Sequence, residues 1–350
     1  MKKKMMRAAV LKERGRLEIA EIPTPIPGPG ELLLRVRACG VCGSDVPRVF
    51  GGVAYHYPLV PGHEFSGVVE AAGDEASGKW VGKRVTVFPL IPCRACPWCE
   101  SGRYELCDNY GYLGSRQNGA FAEYVVVPSS NVVPLPDELS YELGALTEPA
   151  AVAYHALQRA QVRAGERVIV FGLGPVGILF GIWAHLAGAR FLVGIDVDRD
   201  KFLLAEKMGF RYTIYPEEIG NTIFADSYES MHGFDLAVEA SGNGEALKGA
   251  LESAAKTGRV MLLGNQEKDV TLLPNHFSLI LRKELKVLGT WNSTFSRVSS
   301  DWIGALEAQK NGQVNLEPLL SHTLALEELP HTLEKMKNKA FSYTKVIIVF

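Results

Sequence analysis

Cys42-Gly43-Ser44-Asp45 and, after a loop, Pro61-Gly62-His63-Glu64 place a thiol, an imidazole and a carboxylate in one short span, with the Ser44 hydroxyl beside the thiol. These are the donors that zinc prefers, and three protein ligands would leave a fourth position open for chemistry. The spacing is loose, and a lone Cys or His is more often a packed core residue. A second group, Cys93-Arg-Ala-Cys96-Pro-Trp-Cys99 followed by Cys107, has a different character. Four thiolates suit a closed tetrahedral zinc site, which staples a lobe with little apolar content of its own. A disulfide pair or an iron–sulfur cluster would use the same residues. No redox partner lies in the local sequence, so structural zinc is the expectation.

Glu148-Pro149 falls inside the apolar segment Gly144-Ala-Leu-Thr-Glu-Pro-Ala-Ala-Val-Ala. A carboxylate there is poorly explained as a solvated surface group and better explained as a metal ligand or active-site group. The helical pattern from Leu139 to Gln161 should break or kink at Pro149, which lacks an amide proton.

The third motif is Gly172-Leu-Gly174-Pro-Val-Gly177. It follows the β-branched run Arg167–Phe171, opens an apolar helix, and has Asp196 19 residues after its last glycine. Gly172 makes the tight turn, Gly174 lets a pyrophosphate approach the backbone, and Gly177 permits helix–strand packing. The helix N-terminus offers amide protons and a positive dipole end, and Pro175 fits its first turn. Asp196 would take ribose hydroxyls and repel a 2′-phosphate, so NAD is expected over NADP. Val176, Lys201, Ser241 and Gly264 complete the expected cofactor set.

Two kinds of element must position these groups. From Arg7 to about Pro149, short strands such as Glu31–Ala38, Gly67–Ala72, Arg84–Phe88 and Glu123–Pro128 are punctuated by Gly and Pro, which predicts a β-rich domain. From about Arg163, strands alternate with helices. Arg167–Phe171, Phe191–Ile195, Tyr212–Tyr215, Phe234–Ala240, Arg259–Leu263 and Lys286–Leu288 predict a doubly wound parallel sheet, α/β in class. The tail carries a helix, Trp302–Asn311, and a strand, Lys345–Phe350. The expected boundaries are 1–150 with 292–350 for the first domain and 151–291 for the second.

Composition narrows the function. A 350-residue chain favours two domains, and a formal net charge of −2 argues against a nucleic-acid partner. No apolar core follows Met1-Lys2-Lys3-Lys4, so no signal peptide is expected, and the six cysteines suit metal ligation better than disulfides. The uncharged stretch from Val168 to Ala189 is long enough for a membrane span, but its glycines and Pro175 suit a buried strand, turn and helix. A cytoplasmic protein without membrane contact is expected.

Taken in order, Cys42-Gly-Ser-Asp, Gly62-His63-Glu64, the four cysteines, Glu148-Pro149 and the glycine turn resemble the zinc-containing medium-chain alcohol and polyol dehydrogenases over essentially the whole chain. The resemblance implies a GroES-like β-domain, formed by the N-terminal part and the tail, joined to a Rossmann domain. It implies two zinc ions: a catalytic one on Cys42, His63 and Glu148, with Glu64 a ligand or close neighbour, and a structural one on Cys93, Cys96, Cys99 and Cys107. Ser44 would sit on the substrate hydroxyl. Where many relatives carry a relay histidine, five residues after the ligand Cys, this chain has Pro47. Glu148 in place of a second Cys looks like the polyol branch. Within it, Cys42–Phe50, His56-Tyr57-Pro58, Gly114-Ser-Arg116 and Leu281–Trp291 look closest to members that oxidise galactitol 1-phosphate to tagatose 6-phosphate. Arg48 and Arg116 are then candidates for the phosphate, and Trp291 for the substrate. An unphosphorylated polyol or threonine is the alternative substrate, and a catalytically inactive nucleotide-binding relative is a further one. A homodimer or homotetramer, with sheet edges paired near Lys286–Gly289, is also implied.

Overall fold

The computed structural model describes residues 4–219, 233–266 and 268–350, so the Met1–Lys3 run lies outside the described residues. Its contacts divide the chain into one unit of Met1–Glu148 with Thr294–Phe350 and a second of Pro149–Ser293.

The first unit is built on a seven-stranded sheet ordered Leu320–Ala325, Lys345–Val349, Glu31–Val41, Glu64–Ala72, Arg84–Val87, Val132–Pro134, with Tyr124–Pro128 pairing on Glu31–Val41. Glu31–Val41 alternates buried and less buried side chains, then becomes wholly buried over Ala38–Val41. Its buried face, Leu32, Leu34 and Val36, packs with Phe65, Val85 and Phe121 and with Leu329 and Leu333 of the C-terminal helix Leu329–Lys337. The tail strand Lys345–Val349 pairs antiparallel with Val41–Ala38 and parallel with Leu320–Ala325. Val346, Ile347 and Ile348 are fully buried, which explains why the tail returns to this domain. A hairpin, Met5–Glu13 with Arg16–Pro23, lies outside the main sheet.

Among the described residues, the second unit contains a six-stranded, all-parallel sheet in the order Tyr212–Ile214, Phe191–Ile195, Arg167–Phe171, Phe234–Glu239, Ala254–Leu262, Lys286–Gly289. The order reverses between Arg167–Phe171 and Phe234–Glu239, the place where doubly wound sheets open a ligand crevice. The strands are near-continuous apolar runs because helices such as Pro175–Leu186 and Gly244–Ser253 cover them. Val168–Phe171 and the helix Pro175–Leu186 account for the uncharged stretch, and no described helix is long and apolar enough to cross a membrane.

One expectation is corrected. The Leu139–Gln161 segment does break, but not at Pro149: two helices, Tyr141–Ala145 and Thr147–Ala160, part at Leu146. Pro149 falls in the first turn of the second helix, where its missing amide proton costs nothing.

Candidate active site and metal centres

The four lobe cysteines converge. The Sγ atoms of Cys93, Cys96, Cys99 and Cys107 all lie within 4.8 Å of one another, and none of the six cysteines forms a disulfide. A one-turn helix, Pro97–Glu100, lifts Cys99 over Cys96, and the Cys93 amide donates to the Cys107 Sγ at 3.2 Å. Burial, followed by Cys107, pushes the Cys99 thiol up to about 12. The backbone amides of Asp108 and Cys99 hold Cys96 down to about 7. Four sulfurs at this spacing fit a tetrahedral zinc.

The second cluster is mixed. Strand pairing sets Gly40 opposite Glu64, and a side chain at Gly40 would strike the Glu64 carboxylate, so glycine is required there. Cys42 leaves the end of one strand as Glu64 begins the next, and His63 immediately precedes it. One ligand atom each from Cys42, His63 and Glu64 falls within 4.8 Å of the others. Glu148, expected as the third ligand, is not in that tight trio. It is buried nearby and accepts a hydrogen bond from the Tyr112 hydroxyl at 3.2 Å. Glu64 instead holds the buried Lys345 ammonium at 2.7 and 2.8 Å.

Electrostatics set this cluster apart. Desolvation, then Glu64, pushes the Cys42 thiol up to about 11, while the Ser44 hydroxyl bonds to it. Desolvation pushes Glu148 up to about 8, partly offset by His63. Burial lowers Lys345, but Glu64, Cys42 and Glu148 together outweigh it and hold the ammonium above its ordinary value. Two carboxyls, a thiol and an imidazole share this site, and the buried His63 Nδ1 has no hydrogen-bond partner, with Asp45 Oδ1 3.9 Å away. A divalent cation would satisfy this donor set.

Asp45, fully buried, orients the surroundings. It accepts from the Cys42 amide at 3.0 Å and from Arg48 Nη1 at 2.6 Å. One nitrogen of the Arg48 guanidinium is therefore taken by Asp45. Arg116 has a different setting. Its guanidinium lies between the Tyr110 ring, 4.2 Å from the centroid, and the Tyr55 ring, at 4.6 Å. It donates to Tyr110 O and to the Tyr55 hydroxyl, and its buried Nε has no partner. Tyr110 packs edge-on against Tyr112, which also packs edge-on against His63. Arg116 thus belongs to the aromatic cluster that reaches Glu148.

In the second unit the glycine turn has the expected features. Gly172 has φ +99°, and a Cβ there would lie 2.8 Å from the Ser241 Cβ; one on Gly177 would strike Gly172 O; around Gly174 the space is open. Pro175 starts the helix and Val176 follows it. Asp196 accepts from the amides of Leu173 at 2.7 Å and Asp198 at 2.9 Å, and Lys201 Nζ sits 3.2 Å from both of its oxygens. The turn and its open floor fit a dinucleotide. Gly264 packs on Gly242 and Glu239, and Trp291 is half exposed.

Sequence reasoning missed Asp45's role, Tyr112, Lys345 and Glu239. Asp45 stood within a quoted motif; the others carry no local signal.

Residues 28–137 match the family model for the alcohol dehydrogenase GroES-like domain, and 175–310 that for zinc-binding dehydrogenase. The chain is 33% identical over 346 residues to galactitol 1-phosphate 5-dehydrogenase of Escherichia coli (strain K12), spanning 98% of this chain and 100% of that one. It is 30% identical over 326 residues to sorbitol dehydrogenase of Halalkalibacterium halodurans, 93% of each. A putative zinc-binding dehydrogenase from Sinorhizobium meliloti 1021, solved bound to NADP, superimposes with a TM-score of 0.89 at 31% identity over 99% of this chain and 100% of that one.

Proposed function

The chain belongs to the zinc-binding alcohol and polyol dehydrogenase family, and from that premise we propose that its substrate is a polyol phosphate, galactitol 1-phosphate, oxidised with NAD to tagatose 6-phosphate. The observation that carries this reading is Arg116. Two tyrosines hold its guanidinium flat, its Nε is unspent, and it shares an aromatic cluster with Glu148. A planar, pre-oriented guanidinium suits a phosphate better than an uncharged hydroxyl.

In this reading Cys42 and His63 would hold the catalytic zinc, with Glu64 and Glu148 as the carboxylates beside it. The bound ion would polarise the substrate hydroxyl and lower its pKa. Asp45 keeps the Cys42 segment in place, and Ser44, exposed beside the thiol, accepts the hydroxyl proton and passes it to solvent. A dinucleotide held at the glycine turn would supply the hydride acceptor, so that the alcohol becomes a ketone with one hydride and one proton removed. Asp196 supports NAD over NADP by charge repulsion. Among the described residues no strand pairs with the outer edge of Lys286–Gly289, and this edge, with Val287 exposed, supports edge-to-edge pairing of two copies.

Rates on galactitol 1-phosphate, galactitol, sorbitol and threonine, each with NAD and NADP, test the reading. The phosphorylated substrate should lead, and Arg116→Ala should raise its KM by about a hundredfold, roughly the loss of one charge-assisted contact. Equal or faster turnover of the free polyols would overturn it. The 30% identity to a sorbitol dehydrogenase favours an unphosphorylated polyol as the second reading.

A further inference from the structure

Glu239 is fully buried at the carboxyl end of Phe234–Glu239, paired with Phe171, the residue before the glycine turn. Every hydrogen bond it makes is one that it accepts, the pattern of a carboxylate. Oε1 takes the Ser241 amide at 2.7 Å, the Ser241 hydroxyl at 2.7 Å, the Gly242 amide at 2.9 Å and the Asn243 amide at 3.5 Å; Oε2 takes Gln266 Nε2 at 3.2 Å. All of these donors are neutral. Among the described residues no cation pairs with it.

A buried charge with hydrogen bonds but no counter-ion is costly, and its retention calls for a reason. Its position supplies a reason. Glu239 stands at the switch point where the strand order reverses, on the opposite side of Arg167–Phe171 from Asp196. Dinucleotides lie across such a crevice, with the acid after the second strand marking the adenosine half. The other half, the nicotinamide, would then fall on the Glu239 side. The oxidised nicotinamide ring carries a positive charge and the reduced ring carries none. The carboxylate also fixes both loops that border this half. It binds the turn 241–243 directly and reaches the 263–266 loop through Gln266, while a Cβ on Gly264 would lie 2.8 Å from its Oε2.

We propose that Glu239 is a positioning residue for the dinucleotide whose uncompensated charge favours the oxidised over the reduced cofactor. This rests on family membership and not on the choice of polyol. A purely structural carboxylate would affect both cofactor forms alike, so the ratio of the two affinities is the diagnostic quantity.

Dissociation constants for NAD and NADH, measured by calorimetry and by NADH fluorescence on the zinc-loaded protein, supply the test. In Glu239→Gln, which keeps shape and one acceptor, NAD binding should weaken about tenfold more than NADH binding. Gln266→Lys leaves Glu239 in place and sets an ammonium beside Oε2, and it should shift the ratio in the same direction. It also decides the matter if Glu239→Gln fails to fold. Weakening of both cofactor forms by one common factor, or an unchanged ratio in Gln266→Lys, overturns the proposal.

Discussion

The two candidate metal-binding clusters of the first unit are built on opposite plans. Cys93, Cys96, Cys99 and Cys107 are one residue type from one short lobe, and their nearest partners are each other and the lobe's own backbone. Cys42, His63, Glu64 and Glu148 are three residue types from separate stretches of the chain, and three of them are hydrogen-bonded elsewhere: Cys42 to Asp45, Glu64 to Lys345 and Glu148 to Tyr112. Uniform thiolates close around an ion and leave nothing over. Mixed donors held by outside partners keep an adjustable site, and those partners orient its ligands. The first plan suits a structural ion and the second a reactive one.

That contrast can be broken in several ways. The largest effect expected is on turnover. His63→Ala should lower kcat by about 10⁴-fold or more, because a hydroxyl without its metal keeps its high pKa. Zinc content should fall from two ions to one while circular dichroism stays unchanged. Retained turnover in a protein with one zinc would remove the distinction between the sites.

Cys96→Ser should act on the fold instead, costing about 4 kcal/mol or more, the scale of a lost structural metal. Thermal unfolding measures it, and an unmoved transition would contradict the staple.

Thiol chemistry offers a third comparison. With zinc stripped by chelation, Cys96 ionises at about 7 and Cys42 at about 11. The thiolate is the reactive form and appears as pH rises through each value. Iodoacetamide at neutral pH should therefore label Cys96 about a hundredfold faster, after allowing for the weaker nucleophilicity of a low-pKa thiolate. Mass spectrometry of the labelled peptides reads this directly.

The smallest effect falls on a residue that ligates nothing. Asp45→Asn should weaken the catalytic metal by about tenfold to a hundredfold and leave the four-cysteine site alone. Competition with a graded zinc chelator would show it, and equal loss from both sites would mean that Asp45 only supports the fold.

Much of this was legible in the chain. The parallel sheet was, because buried strands leave β-branched runs and the glycine turn leaves its spacing. The lobe was, because its ligands are local. Pro149 misled because proline reads as a breaker wherever it falls, and only the position of the helix start shows that it is harmless. Arg48 and Arg116 looked equivalent as sequence; the fold pairs one with Asp45 and suspends the other between two aromatic rings.

The sequence by itself determined the donors, the glycine turn with its acid, and the order of strands and helices, since each depends on spacing over a few residues. Tertiary structure alone decided which group answers each buried charge. Lys345 meets Glu64 across 281 residues because Lys345–Val349 and Glu64–Ala72 flank the same strand, Glu31–Val41. Tyr112 reaches Glu148 across 36 residues, and Gln266 reaches Glu239 across 27. A buried charge must find its partner in space, and no local pattern records where that partner will be.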